Sequence, residues 1–335
     1  MSSVQTGIKR TSTNNHQSIQ SKDPRNVQSP QLTQWTPLAL IQVYIWLCVL
    51  PKLCKPHWET FWTQLTPLQG DLVINSFGMI FFPLYCLAML PVYIMDIPFF
   101  EQFKISDKPW PWRKDQPTKV QNDFWKLSKR SIKLYSFNNL ILVPFLTILN
   151  YQMVKLVGED ILPQASHIDD DWPTTMEMIY QNILFTITHE FFFYTTHRMM
   201  HKPQFYSWHK VHHEYKQNTV LASQHNHPVD YFFSIAGPAL FAITIVRPKH
   251  SIIKLQSAMW ALFANYDDHC GYSFPWSPVR WFPLASLTDH HEFHHSHNIG
   301  CFESKLSVFD KLFGGEERYL IWKAKRPLRE EYKVL

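Results

Sequence analysis

The stretch HEFFFYTTHRMMHKPQFYSWHKVHHE, residues 189–214, decides how this chain is read. Its front half is aromatic and apolar. Its back half sets out His197-x3-His201 and then His209-x2-His212-His213. About 80 residues on, His291-x2-His294-His295 repeats the second spacing, and 15 of the chain's 18 histidines lie between His189 and His297. Residues three and four apart share a helix face, so each group is expected to aim two or three ring nitrogens at a common point. Neutral imidazole is the commonest metal ligand, and eight that converge predict a site for two first-row metal ions.

Working outward, the composition is that of a membrane protein. Of 335 residues, 45% are apolar, 16% aromatic and only 18% charged, with 13 Trp and 25 Phe. Such aromatic enrichment suits membrane interfaces. The mean hydropathy of -0.22 is lowered by the histidines and a polar N-terminus. A net charge of +5 without a compact basic reading motif points to an anionic membrane face and to no nucleic acid partner. Five cysteines (Cys48, Cys54, Cys86, Cys270, Cys301) form no paired framework, which fits a reducing compartment.

Residues 1–35 read as a disordered polar tail, lacking the three-part pattern of a secretory signal. Apolar stretches follow near 37–54, 72–98, 134–157, 177–196 and 231–267. A spanning helix needs about 20 apolar residues, so the second and third suffice alone. The last predicts a hairpin of two shorter helices around Arg247-Pro248-Lys249. The fold class expected is all-α and multi-pass, with a histidine-rich cap holding a dimetal site.

Charge sets the expected orientation. Nine Lys or Arg lie in 104–133, and Arg198, Lys202, Lys210 and Lys216 accompany the first two groups. Segment 158–176 has none and holds five acids. The positive-inside rule places 104–133 and 198–216 in the cytosol and 158–176 on the far side. Arg247, Lys249 and Lys254 at the hairpin tip resist this scheme.

Iron suits the ligand set best, because six-coordinate iron takes many nitrogens and leaves room for oxygen, whereas the clusters lack the cysteines of a structural zinc. One rival lies inside the third group. His291-Glu292-Phe293-His294-His295 also fits H-E-x-x-H, the zinc hydrolase pattern with Glu292 as general base. That reading leaves the other two groups without a role. A histidine-lined metal transporter would need such groups inside several spans, not gathered at one edge.

The runs HEFFFYTTHRMMH (189–201), WHKVHHE (208–214), HNHPVD (225–230), DHCGYSFPW (268–276) and HHEFHHSHNIGCF (290–302), with FDKLFGG (309–315), resemble the fatty acid hydroxylase superfamily. Within it the pattern is most similar to C-4 methylsterol oxidases, with C-5 sterol desaturases close by. The resemblance covers roughly residues 130–315. It implies two irons, oxygen as cosubstrate, electrons from NAD(P)H through cytochrome b5 or its reductase, and an endoplasmic reticulum membrane location with the site facing the cytosol. It implies metal ligation by His197, His201, His209, His212, His213, His291, His294 and His295, and adds His227 and His269. Glu190 stands seven before His197, where an acid would orient an imidazole from outside the ligand set. His189 departs from the pattern, since these oxidases tend to have an acid there. No residue is given a catalytic role beyond ligation.

The division implied is 1–35 tail, 36–133 N-terminal membrane segments with a basic cytosolic connection, 134–315 catalytic domain and 316–335 C-terminal tail. The substrate implied is a sterol or another lipid. Methyl oxidation, C-5 desaturation, side-chain dealkylation and fatty acid or sphingolipid hydroxylation all remain open at this point.

Overall fold

The computed structural model describes residues 32–158, 171–281 and 284–325. Most of the polar tail and of the acidic segment 158–176 therefore lie outside the described residues. Among those described there is no β-strand, only isolated bridges pairing Lys104 with Tyr272 and Ala285 with Leu306. In chain order the main helices are α1 (Trp35–Trp58), α2 (Pro67–Ile94), α3 (Thr118–Val157), α4 (Thr175–Met200), α5 (Pro228–Val246), α6 (Ser251–Asp268), α7 (Thr288–His297) and α8 (Glu317–Lys325).

Four of them, α1, α2, α3 and α5, are long and apolar enough to cross a membrane. α2 starts on a capping box: Thr66 Oγ1 accepts the Gln69 N–H, the Thr66 N–H donates to Gln69 Oε1 at 2.8 Å, and Pro67 fills the first helical position. From Phe77 onward the helix is apolar all round. Phe77, Ile80, Leu84, Leu87 and Leu90 are exposed on its outer side, a pattern that suits hydrocarbon and not water. α3 has 40 residues, about 60 Å of helix against about 30 Å of bilayer core. Its first half carries Lys119, Lys126, Lys129, Arg130 and Lys133, so that half belongs outside the hydrocarbon.

The expected span at 177–196 is a helix of the right length, α4, but its inner side is polar. Gln181, Thr186, His189 and Glu190 are buried on it. α6 answers part of this: Ser257 Oγ donates to Asn182 Oδ1 at 2.9 Å. The expected hairpin is α5–α6, and Arg247 ends α5 in the left-handed region at φ 51°. The cations at that turn find partners, because Lys249 pairs with Glu177 at 3.1 Å and Lys254 with Asp71 at 2.6 Å. That is how the hairpin tolerates charges that the loop-counting rule found out of place.

α4 and α6 bring their C-terminal ends to one end of the bundle, where α7 and the turns between Tyr206 and His227 meet them. The basic half of α3 packs at this same end: Arg130 Nη1 donates to Glu214 Oε1 at 2.5 Å, and Ser131 Oγ lies 2.9 Å from His225 Nδ1. Residues at the start of the expected C-terminal tail form α8. Its Tyr319 is buried and stacks on His290, with ring centroids 3.9 Å apart, because an aromatic face gains more from packing on the histidine helix than from water.

Candidate metal centre

The histidines fold into two sets, each with ring nitrogens within 4.8 Å of one another. One set is His197, His201, His209, His213 and His294, and the other is His212, His269, His291 and His295. Helical periodicity explains half of this sorting. The i, i+4 pairs 197/201, 209/213 and 291/295 each stay together, as side chains one turn apart must. The expectation that each sequence group points at a single spot is corrected here. His212 leaves its group for the second set and His294 leaves its group for the first, because i+3 and i+4 positions differ by about 100° around a helix axis.

The geometry fits a bound cation. In the first set Nε2 atoms are separated by 3.2 Å (His197–His209), 3.1 Å (His201–His209), 3.0 Å (His209–His213) and 3.0 Å (His201–His294). In the second they are 3.2 Å (His212–His269), 2.9 Å (His269–His291) and 3.2 Å (His269–His295) apart. Two nitrogens bound about 2.1 Å from one ion at right angles stand about 3.0 Å apart. Burial, with repulsion among neighbouring imidazoles, holds His201, His212, His213, His291 and His295 below the ordinary histidine range. Burial also takes His269 to about 4 and His294 to about 3. These seven rings are thus neutral at physiological pH, with lone pairs that a shared metal cation could satisfy.

The opposite ring nitrogens are held by the backbone. Nδ1–H of His197 donates to the Phe302 carbonyl at 2.6 Å, that of His294 to Gly300 at 2.6 Å, that of His269 to Asn265 at 2.7 Å and that of His295 to Tyr215 at 3.2 Å. His209 uses a carboxylate, Asp230 Oδ1 at 2.8 Å, which also accepts from Ser234 Oγ. Such partners fix the tautomer and leave Nε2 free to ligate. Asp230 is not among the expected site residues, although it sits in the run HNHPVD. Its distance of 21 residues from His209 carries no local signal.

His227 lies in neither set. It caps α5, where its Nδ1 accepts the Val229 N–H at 3.2 Å. Glu190 acts differently from expectation. Its carboxylate accepts the N–H groups of Ser304 at 2.7 Å and Lys305 at 2.9 Å, and among the described residues no hydrogen bond joins it to a ring of either set. It anchors the loop whose Phe302 and Gly300 carbonyls orient His197 and His294, so its influence on the imidazoles passes through backbone. The closing FDKLFGG locks the same loop: Asp310 Oδ2 accepts the Glu303 N–H, and the Asp310 N–H donates to Glu303 Oε2 at 2.7 Å. Glu292, the general base of the hydrolase reading, accepts the Asn218 N–H at 3.3 Å. His291 and His295 do converge, but with two further imidazoles, where a hydrolytic zinc keeps three protein ligands and an open position.

A cavity of about 490 Å³ opens among α2, α3, α4, α5 and α6, within the usual size for a small-molecule site. Its wall includes Leu146, Met153, Leu240 and Leu262, and Phe193 brings it to the first histidine set, with ring centroids 5.2 Å from His197. Asn265, also in the wall, orients His269 of the second set. A second cleft reaches His201 from another side, lined by Arg198, Tyr206, Phe302, Glu317 and Arg318.

Comparison with known proteins agrees with this geometry. Residues 182–315 match the fatty acid hydroxylase family model. The chain is 28% identical over 277 residues to a cholesterol 25-hydroxylase-like protein of Caenorhabditis elegans, covering 78% of this chain and 82% of that one. It is 26% identical over 281 residues to methylsterol monooxygenase 1 of Gallus gallus, covering 81% and 85%. A C-4 methylsterol oxidase of Schizosaccharomyces pombe is 30% identical over 159 residues, covering 46% and 53%. No solved structure matches the chain.

Proposed function

From a fatty acid hydroxylase domain at residues 182–315, in a chain that is an oxidoreductase related to methylsterol monooxygenases, we propose a membrane-bound di-iron oxygenase of C-4 methylsterols. The observation that carries this reading is the meeting of two histidine sets with one apolar cavity, joined through Phe193 and Asn265. Nine imidazoles would hold the irons, five on one and four on the other, which leaves one and two positions open on six-coordinate ions. Bound there, the irons would supply O2 reduction and the oxidation of an unactivated C–H bond.

The chain's own residues do the rest. Asp230 and four backbone carbonyls aim the rings. The cavity takes a flat apolar lipid from among the helices and keeps water from the reacting end. The basic half of α3, at the same end of the bundle as the histidines, supports a cytosolic site in an endoplasmic reticulum membrane. Arg198 and Arg318, rimming the cleft that reaches His201, suit an acidic electron carrier of the cytochrome b5 type, fed by NAD(P)H. The catalytic domain would run over residues 134–315, with 36–133 as membrane segments and their basic connection.

Deleting the gene and profiling sterols by mass spectrometry tests this reading. Accumulation of 4-methyl sterols is expected. Loss of a side-chain-modified sterol would favour oxidation at the other end of the molecule, and an unchanged sterol profile overturns the proposal. Purified protein is expected to contain about two iron atoms per chain.

A further inference from the structure

The lining of the apolar cavity holds an unpaired hydrogen-bond donor on the side toward the metal sets. His189 is 5% exposed and forms part of the wall. Its Nδ1 sits 3.3 Å from Lys305 Nζ. An ammonium can only donate, so Nδ1 accepts and the ring's proton lies on Nε2. Among the described residues this Nε2–H has no protein acceptor. Several other polar groups of the wall are engaged: Lys254 donates to Asp71 at 2.6 Å, Asn75 to Thr147 Oγ1 at 2.7 Å, and Ser304 Oγ to Asp268 at 2.7 Å. Lys305 itself is 4% exposed, lies in the wall, and stands 4.0 Å from the Glu190 carboxylate. A donor facing an apolar cavity without an acceptor is costly, and a ligand oxygen removes that cost.

The donor has a defined place relative to the site. His189, Phe193 and His197 succeed each other one turn apart on α4, with ring centroids 6.3 Å and then 5.2 Å apart. The engaged pair Lys254–Asp71 sits at the other end of α6, 15 residues before His269, or about 22 Å along the helix.

Building on the sterol reading above, we infer that His189 and Lys305 are specificity-determining residues that bind a hydroxyl or carbonyl oxygen of the substrate. The oxygen-bearing half of the lipid then enters toward the metal sets, and the carbon oxidised belongs to that half. For a sterol this is the ring system that carries the 3-hydroxyl, with the hydrocarbon side chain toward Lys254.

The test is equilibrium binding of cholesterol and of its 3-deoxy analogue to the metal-loaded, detergent-solubilised protein. Wild type is expected to bind cholesterol at least about tenfold more tightly than the deoxy compound. In His189→Phe, which keeps an aromatic ring but removes the donor, the two affinities should converge to within about twofold. Lys305→Gln is the second variant and should narrow the ratio in the same way. A preference that persists in both variants, or its absence in wild type, overturns the inference and leaves sterol binding standing. A protein that binds neither compound overturns the sterol reading, and this assignment with it.

Discussion

His294 and His295 are neighbours in the chain, yet their rings stand 6.0 Å apart at 88° and belong to different histidine sets. His212 and His213 divide in the same way, 5.5 Å apart at 76°. Each of these two sequence groups therefore contributes rings to both sets, and neither set can be assembled without both groups being placed. The nests are interlocked, so damage to one ligand has a defined address.

His294→Ala and His295→Ala should each lower bound metal from about two to about one per chain, from opposite positions. Elemental analysis gives the count, and iron spectroscopy should show a different remaining ion in the two variants. The same remaining spectrum in both would defeat the assignment into sets.

Among the described residues, Asp230 is the one carboxylate hydrogen-bonded to a ring of either set, through His209 Nδ1. Asp230→Asn is expected to weaken metal retention by about 10–100-fold. Competition with a graded chelator measures it, and an unchanged release curve would show that the carboxylate is dispensable.

Glu190 holds the loop that presents Phe302 and Gly300. Glu190→Ala leaves two backbone donors and the Lys305 ammonium without their carboxylate, at a cost of about 3–5 kcal/mol. Denaturant unfolding reads the loss of stability. Metal content should fall with it, since His197 and His294 lose their carbonyl partners.

Gly271 follows the His269 turn at φ 75°, and a Cβ there would meet the Asn218 carbonyl oxygen at 2.6 Å. Gly271→Ala should push apart the turns that carry His212 and His269. Loss of metal from the second set ahead of the first is the expected spectroscopic outcome.

Acid should destabilise the metal-free protein. His269 and His294 are held at about 4 and about 3 in the folded chain, against 6.5 when unfolded. The unfolded chain thus binds more protons below pH 6.5. The stability these groups contribute is fully present above that value and is lost as pH falls toward 4 and then 3, by about 1.4 kcal/mol per pH unit for each ring. Unfolding midpoints of chelator-treated protein between pH 8 and pH 5 measure it, and a flat profile would contradict neutral, buried imidazoles.

Local pattern by itself determined the helical class, the apolar stretches and the histidine spacing. These rest on periodicity within about 20 residues, so helical pairs such as His197/His201 and His291/His295 were legible before any packing was known. The resemblance carried by the flanks of these groups added His269, far from them in sequence. Only the tertiary structure decided how the rings are shared between two positions, because that depends on where α4, α6 and α7 converge. It alone selected Asp230 over Glu190 as the carboxylate on a ring, and carbonyls of Phe302 and Gly300 as orienting groups, since a backbone acceptor has no side-chain signature. The polar inner side of α4 was likewise hidden in an aromatic run. His189 and Glu190 read as a departure and as an acid orienting an imidazole, and packing against Ser304 and Lys305 placed one in the wall of the cavity and the other behind the loop.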